Sequence, residues 1–343
     1  MQALQFKPKQ ITKKMMLVLR DRSRDILGQR HGLNPDDSNR KTLEAIGQQY
    51  GITRERIRQI ENYSLNSIRK SDIFNENEAV FEEMAKEMER RGKIVHEEDF
   101  LNSLAKDEAT RNHIHFLLVV SPKFTKIKED DDFFHRWTVD VESADKIHGA
   151  LRNLHNEIKP DDLILEEELL SRFNKQIDKL NLGDTPKETL YSWLRISKLI
   201  DKNDLGEWGV VNSCNIRPRG IRDLTFLILR RHGSPMHFTE VAKSISDTFG
   251  KTAHPQTTHN ELIKDGRFVL VGRGLYGLRD WGYSVGTVKD VIRNILKTNG
   301  SLTKEDIIKK VLKERYVKEN TIVVNLQDRR YFRKNSSDYY IAI

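Results

Sequence analysis

Residues 42 to 61 read TLEAIGQQYGITRERIRQIE, and few folds accommodate that order. Leu43 and Ile46 stand at helical spacing behind Thr42 as an N-cap, which predicts a short amphipathic helix from Leu43 to Tyr50. Gly51 ends it, because glycine adopts the left-handed conformation at low steric cost. Thr53 caps a second helix that continues to about Lys70. Ile57, Ile60, Ser64, Leu65 and Ile68 share one face of it, as a buried stripe requires, so Arg54, Glu55, Arg58 and Gln59 point the other way. This is the arrangement of a helix-turn-helix.

Those four side chains suit a DNA major groove. Arginine forks onto guanine O6 and N7, glutamine reads adenine, and a carboxylate accepts from cytosine N4. All four lie near the start of the second helix, the part such motifs insert among base edges. A solvated face on an ordinary helical hairpin would carry similar charges; the glycine turn and the flanking helix favour the DNA reading.

The stretch resembles region 4 of bacterial primary-type sigma factors, the module that reads the promoter −35 element. DRSRDILGQRHGL, residues 21 to 33, resembles that region's preceding helix, with His31 where an aromatic is usual. The resemblance covers about residues 15 to 70. It implies base contacts from Arg54, Glu55, Arg58 and Gln59, and backbone contacts or helix support from Arg40, Thr42, Leu43, Glu44, Thr53 and Arg56. A sigma factor also needs a module that melts the −10 element and a clamp on the polymerase. Some fourteen residues precede the matching segment, so the expectation is a promoter reader without the opener.

Composition narrows the remaining classes. A chain of 343 residues with 37% hydrophobic residues suggests several small domains. It has no apolar run long enough to span a membrane and no apolar signal core in MQALQFKPKQITKK, so the expected location is cytoplasmic and nucleoid-associated. The single cysteine, Cys214, excludes a disulfide framework and reads as a small buried or linker residue. The 11 histidines lack metal-ligand spacing, so neither a metal nor another cofactor is expected; His113 and His115 sit in an apolar helix with one side toward a core.

Charge is segregated along the chain. Residues 1–70 hold 15 Lys+Arg against 7 Asp+Glu, residues 71–217 hold 21 against 31, and residues 218–343 hold 23 against 13. Neutralising phosphates releases condensed counterions, so the basic ends favour nucleic acid and the acidic middle does not.

Beyond residue 75 one plan recurs four times: a helix, a short second helix, a third helix, then two strands ending in an aromatic-x-apolar pattern. The hairpins are placed at 124–127 with 134–139, at 198–200 with 207–211, at 268–271 with 275–278, and at 331–333 with 339–343. Their spacing of about seventy residues suits a winged helix. The expected fold class is mainly α with small β-hairpins. Its expected divisions are a helix-turn-helix at 1–74, acidic winged-helix-like units at 75–142 and 143–216, a winged helix at 217–284, and a basic winged-helix-like unit at 285–343. A single irregular α+β domain is the alternative.

The third unit, RDLTFLILRRHGSPMHFTEVAKSISDTFG followed by HPQTTHNELIKDGRFVLVGRGLYGLRDW, resembles the HARE-HTH domain, a winged helix of the RNA polymerase delta subunit, restriction-linked proteins and chromatin regulators. Leu224, Phe226, Leu227, Val241, Ile245, Leu262 and Phe268 read as its core. A second DNA or partner surface is expected at Gln256, Thr257, Thr258, His259, Arg267 and Arg273, with His254, Asn260 and Arg279 beside them.

Gly272, Gly274 and Gly277 satisfy GxGxxG, but a dinucleotide fingerprint requires a helix to open there, and Leu275–Leu278 reads as a returning strand. Asp161, Asp162 and Glu166 to Glu168 are expected at a helix start or on its exposed face, where carboxylates complement the dipole. No catalytic grammar appears, so an enzyme is not expected. The expected partners are double-stranded DNA and RNA polymerase, for a sequence-specific transcription regulator. The alternatives are a polymerase-docking factor or the specificity subunit of a restriction or defence system.

Overall fold

Threonine caps and glycine stops set the first helices as the spacing predicts. The computed structural model describes residues 6–35, 37–180 and 185–343. After α1 (Pro8–Met16) and α2 (Asp21–His31) come α3 (Leu43–Tyr50) and α4 (Arg54–Arg69). Thr42 Oγ1 accepts from Ala45 N at 3.1 Å and Thr53 Oγ1 from Arg56 N at 3.2 Å, each satisfying one orphan donor of its helix. Gly51 takes φ 65° between them. One isoleucine from each of three helices, Ile26, Ile46 and Ile57, is fully buried, with Leu43, Ile52 and Ile60 packed around them. Burying each is worth about 1.5–3 kcal/mol, which fixes the angle between α3 and α4.

After α5 (Asp72–Glu76), one order repeats four times. The first repeat has α6 (Glu78–Arg90), β1 (Ile94–His96), α7 (Glu97–Leu104), α8 (Glu108–Val120), β2 (Thr125–Ile127) and β3 (Arg136–Thr138). Its antiparallel sheet runs β1-β3-β2, with Val95 and Lys126 both opposite Trp137. The second has α9 (Val141–Glu157), α10 (Glu166–Asp178), α11 (Lys187–Leu194), β4 (Ile200–Lys202) and β5 (Trp208–Val210). Its leading strand is reduced to one bridge between Ile164 and Trp208. The third has α12 (Ile221–His232), β6 (Met236–His237), α13 (Phe238–Phe249), α14 (Pro255–Lys264), β7 (Phe268–Gly272) and β8 (Leu275–Leu278), in sheet order β6-β8-β7. The fourth has α15 (Val288–Asn299), α16 (Lys304–Glu314), α17 (Glu319–Leu326), β9 (Phe332–Lys334) and β10 (Tyr340–Ala342), with a bridge from Leu302 to Tyr340. The protein is mainly α with small antiparallel hairpins. The leading strand of each repeat, one to three residues long, is the element the hydrophobic pattern did not announce.

The chain divides into two units, Met1–Asn212 and Ser213–Ile343. In the first, Met15, Met16, Leu65 and Ile68 share one apolar cluster with Phe81, Met84, Phe116 and Leu117, so the core runs without a break across residues 74 and 75. Cys214 is half-buried. The glycines at 272, 274 and 277 lie in the β7–β8 hairpin, with Gly274 at φ 72°. The first turn of α10 carries Glu166, Glu167 and Glu168. Among the described residues no helix is long and apolar enough to cross a membrane, and no cluster of three His, Cys, Asp or Glu could hold a metal ion.

Candidate nucleic-acid interface

The turn between α3 and α4 is tighter than Gly51 alone explains. A Cβ on Gly47 would stand 2.7 Å from Ile52 O, so the chain can fold back only because that helical position is glycine. Sequence reasoning missed Gly47, which gave no signal except its helical context. With the turn closed, Arg54, Glu55, Arg56, Arg58 and Gln59 are all exposed on the first two turns of α4, while Ile57 between them is buried.

These side chains organise one another. Arg58 donates to both carboxylate oxygens of Glu55, at 2.9 and 2.7 Å, and Arg56 donates to Gln59 Oε1 at 3.1 Å. The fork raises the Arg58 pKa and holds the Glu55 carboxyl below its ordinary range. Glu55 thus presents Arg58 as a planar donor at fixed height on the helix. Arg54 makes no ion pair among the described residues.

The expected backbone-contact residues separate by chemistry. Thr42 and Thr53 spend their hydroxyls on the caps. Leu43 is half-buried against the isoleucine core, and Glu44 exposes a carboxylate that would repel phosphate. What these two can offer an anion is the N–H groups of the first turn of α3. Arg40 is exposed, and its Nε donates to Asn112 Oδ1 at 2.7 Å, beside a cleft that Glu97, Glu108 and Arg111 also line.

Asn112 is the second residue the sequence did not announce. It is 3% exposed, and its Nδ2 donates to Ser38 O at 2.7 Å and Gly32 O at 3.2 Å, fastening the loop before α3 to α8. Arg69, at the end of α4, donates to Val120 O at 2.7 Å and Val119 O at 3.0 Å, serving the C-terminal carbonyls of α8. His31 lies edge-on to Phe116 at 5.3 Å, filling with an imidazole the position where the family resemblance expects an aromatic. Burial lowers the pKa of His31 and pushes that of His115 well down. His115 is buried, as its place in an apolar helix suggests, and His113 is half-buried.

In a winged helix the third helix is the usual reading element, and here the first two repeats have theirs covered. Helix α8 packs on α1, α2 and α4. Helix α11 packs on β1, with Trp193 Nε1 donating to Gly92 O at 3.1 Å and Arg195 paired to Asp99 at 2.9 Å. Thus α8 packs behind α4, while α11 packs on the first repeat.

In the third repeat Gln256, Thr257, His254, Asn260, Arg273 and Arg279 are exposed, and His259 is half-buried, stacked on Phe238 at 4.4 Å. Two expectations are corrected. Thr258 is fully buried, its hydroxyl donating to His254 O at 3.1 Å, and can touch no partner. Arg267 is half-buried, paired with Asp265 at 2.8 Å and Asp223 at 3.5 Å and laid over the Phe226 ring at 4.9 Å, so it clamps the corner of the fold. Phe226, expected in the core, is half-buried because it forms that platform; the other six expected core residues are buried.

Comparison with known proteins matches the two ends of this architecture. Residues 15–70 match the family described as Sigma-70, region 4, and residues 221–281 match the HARE-HTH family, whose description includes a restriction endonuclease HTH domain. The RNA polymerase sigma factor SigA1 of Synechococcus elongatus is 51% identical over 55 residues, 16% of this chain and 13% of that protein. SigA of Nostoc sp. is 52% identical over 56 residues, 16% of this chain and 14% of that protein, and SigA of Microcystis aeruginosa 55% over 52 residues, 15% and 12%. The chain spans about one eighth of the length of these relatives. It therefore carries, on one polypeptide, a match to sigma-70 region 4 and a match to a HARE-type helix-turn-helix.

Proposed function

We propose that this protein is a sequence-specific DNA-binding transcription regulator that reads a promoter element of the −35 type. The observation that carries the reading is the exposed first two turns of α4, where Arg54, Glu55, Arg58 and Gln59 stand together on a helix capped at Thr53 and braced from behind by α8. The major groove distinguishes all four base pairs, and this set of donors and acceptors can address more than one of them. The relatives' description as RNA polymerase sigma factors supports a polymerase-related setting. Five modules are proposed, the acidic pair serving as spacer and brace and the basic pair gripping flanking duplex. Two modest sites on one chain raise each other's effective concentration, so weak modules suffice for useful avidity.

The test is selection of bound duplexes from a random pool with the intact chain, followed by titration of the selected and a scrambled duplex. A shared sequence among selected duplexes, bound more tightly than the scrambled one, supports the reading. Equal affinity for both removes sequence specificity from it.

A further inference from the structure

The fourth repeat lies outside both family matches, and it carries its charge in an unusual place. Helix α17, its third helix, has the sequence ENTIVVNL, with Glu319, Asn320, Thr321 and Val324 exposed and no lysine or arginine. That helix is poorly suited to phosphate. The cations gather instead where α15 meets the turn from α17 into β9. Lys289 Nζ lies 4.1 Å from the Tyr331 ring centroid, and the guanidinium carbons of Arg293 and Arg330 lie at 4.9 and 5.6 Å. Arg329, exposed, adjoins them in the turn.

The carboxylates facing this corner are Asp328, paired with Arg330 at 2.9 Å and Lys289 at 3.5 Å, and Asp290, which is committed to capping Thr287 and faces Lys289 and Arg293 electrostatically. Four cations thus meet two anions. Arg293 makes no hydrogen bond or ion pair among the described residues, and its Nε is buried without a hydrogen-bond partner, so its guanidinium lies on the aromatic ring with no carboxylate bonded to it. The equivalent corner of the third repeat pairs its α12 and turn arginines with carboxylates, with Arg279 also close to Gly266. There Arg222 and Arg267 face Asp223 and Asp265, with all pair distances between 2.8 and 3.8 Å.

We infer that Lys289, Arg293, Arg329 and Arg330 form a sequence-independent phosphodiester-binding site for duplex DNA on the fourth repeat. The inference rests on the proposed DNA-binding function and names the surface by which the C-terminal end grips the backbone. Guanidinium groups fork onto phosphate oxygens, and a phosphate there relieves the mutual repulsion of cations crowded on one ring while releasing counterions.

The test uses the full chain and fluorescence anisotropy with a labelled scrambled duplex across a salt series. For Arg329→Ala combined with Arg330→Gln, the slope of log affinity against log salt should become shallower by about 1.8, from about 0.9 per phosphate contact. The loss should be the same on a selected duplex. Arg329→Ala alone touches no described partner and so leaves the fold intact; it should lower the slope by about 0.9. Arg222→Gln, whose arginine is paired with Asp223 and Asp265, should leave it unchanged. An unchanged slope in both fourth-repeat variants overturns the inference, as does a loss confined to the selected duplex. Failure of the reader would show separately, as an Arg58→Ala chain that binds the selected duplex like the parent while these slopes still fall.

Discussion

Replacing Asn112 with alanine should loosen the helix-turn-helix from its brace without touching Arg54, Glu55, Arg58 or Gln59. The side chain gives two neutral hydrogen bonds, to Ser38 O and Gly32 O, and accepts one charge-assisted bond from Arg40. A neutral bond contributes about 1 kcal/mol net, and the charged one about 1.5 kcal/mol after discount for the solvent that can reach Arg40. The total is about 3–4 kcal/mol, because alanine leaves the carbonyls without their donor at a site where Asn112 itself is buried. That corresponds to a factor of about 150 to 900 in the equilibrium for opening the junction. Hydrogen exchange read by mass spectrometry on the full chain is the assay, with α9 and α10 as internal reference. Amides of α3 and α4 should exchange about 150- to 900-fold faster in the variant while the reference helices keep their rates. Asn112→Asp should behave no better, since a carboxylate keeps Arg40 but faces two carbonyl oxygens with nothing to donate. Exchange in α3 and α4 within a factor of two of the parent would refute the view that α8 braces the reader through this residue.

Three further outcomes are expected. Gly47→Ala should lower the melting temperature of the first unit, because its Cβ would press on backbone at Ile52 O; the strain, about 1–3 kcal/mol, exceeds the helix-propensity gain of about 1 kcal/mol, and an unchanged or raised melting temperature would count against the tight turn. Glu55→Ala should release Arg58 from its fork, raising affinity for scrambled duplex and narrowing the gap to the selected one; a wider gap in the same titration would contradict the assigned role. Stability should fall as pH drops below about 6.5, because burial depresses the pKa of His31 and His115 in the folded state, so the unfolded chain binds more protons there. Above that pH the contribution is complete, and His31→Phe should flatten the acid limb of a melting-temperature series from pH 7.5 to 5; a series that is pH-independent in the parent would dismiss the histidines.

Local chemistry made the helix-turn-helix legible in the sequence. Thr42, Gly51 and Thr53 each have one cheap conformational role, and the stripe from Ile57 to Ile68 leaves only one face for Arg54, Glu55, Arg58 and Gln59. The four repeats were legible from their hairpins for the same reason, as two short apolar runs such as Phe268–Val271 and Leu275–Leu278 around a glycine turn need no distant partner. Contacts between repeats left no such trace. Asn112 reads as an ordinary helical residue until Ser38 and Gly32 are placed against it, and nothing local tells that α8 is a brace while α14 keeps an exposed face. Thr258 was misplaced because a threonine that returns its hydroxyl to a carbonyl one turn back is polar in sequence and apolar in effect. Arg267 looked like a phosphate ligand because Asp223, its second partner, is 44 residues away.

The most direct measurement is the affinity of the parent and Arg58→Ala for the selected duplex and for its scrambled counterpart, at one fixed salt concentration. The account predicts that the substitution costs roughly ten- to a hundred-fold on the selected duplex and little on the scrambled one. Equal affinity of both proteins for the selected duplex would contradict it.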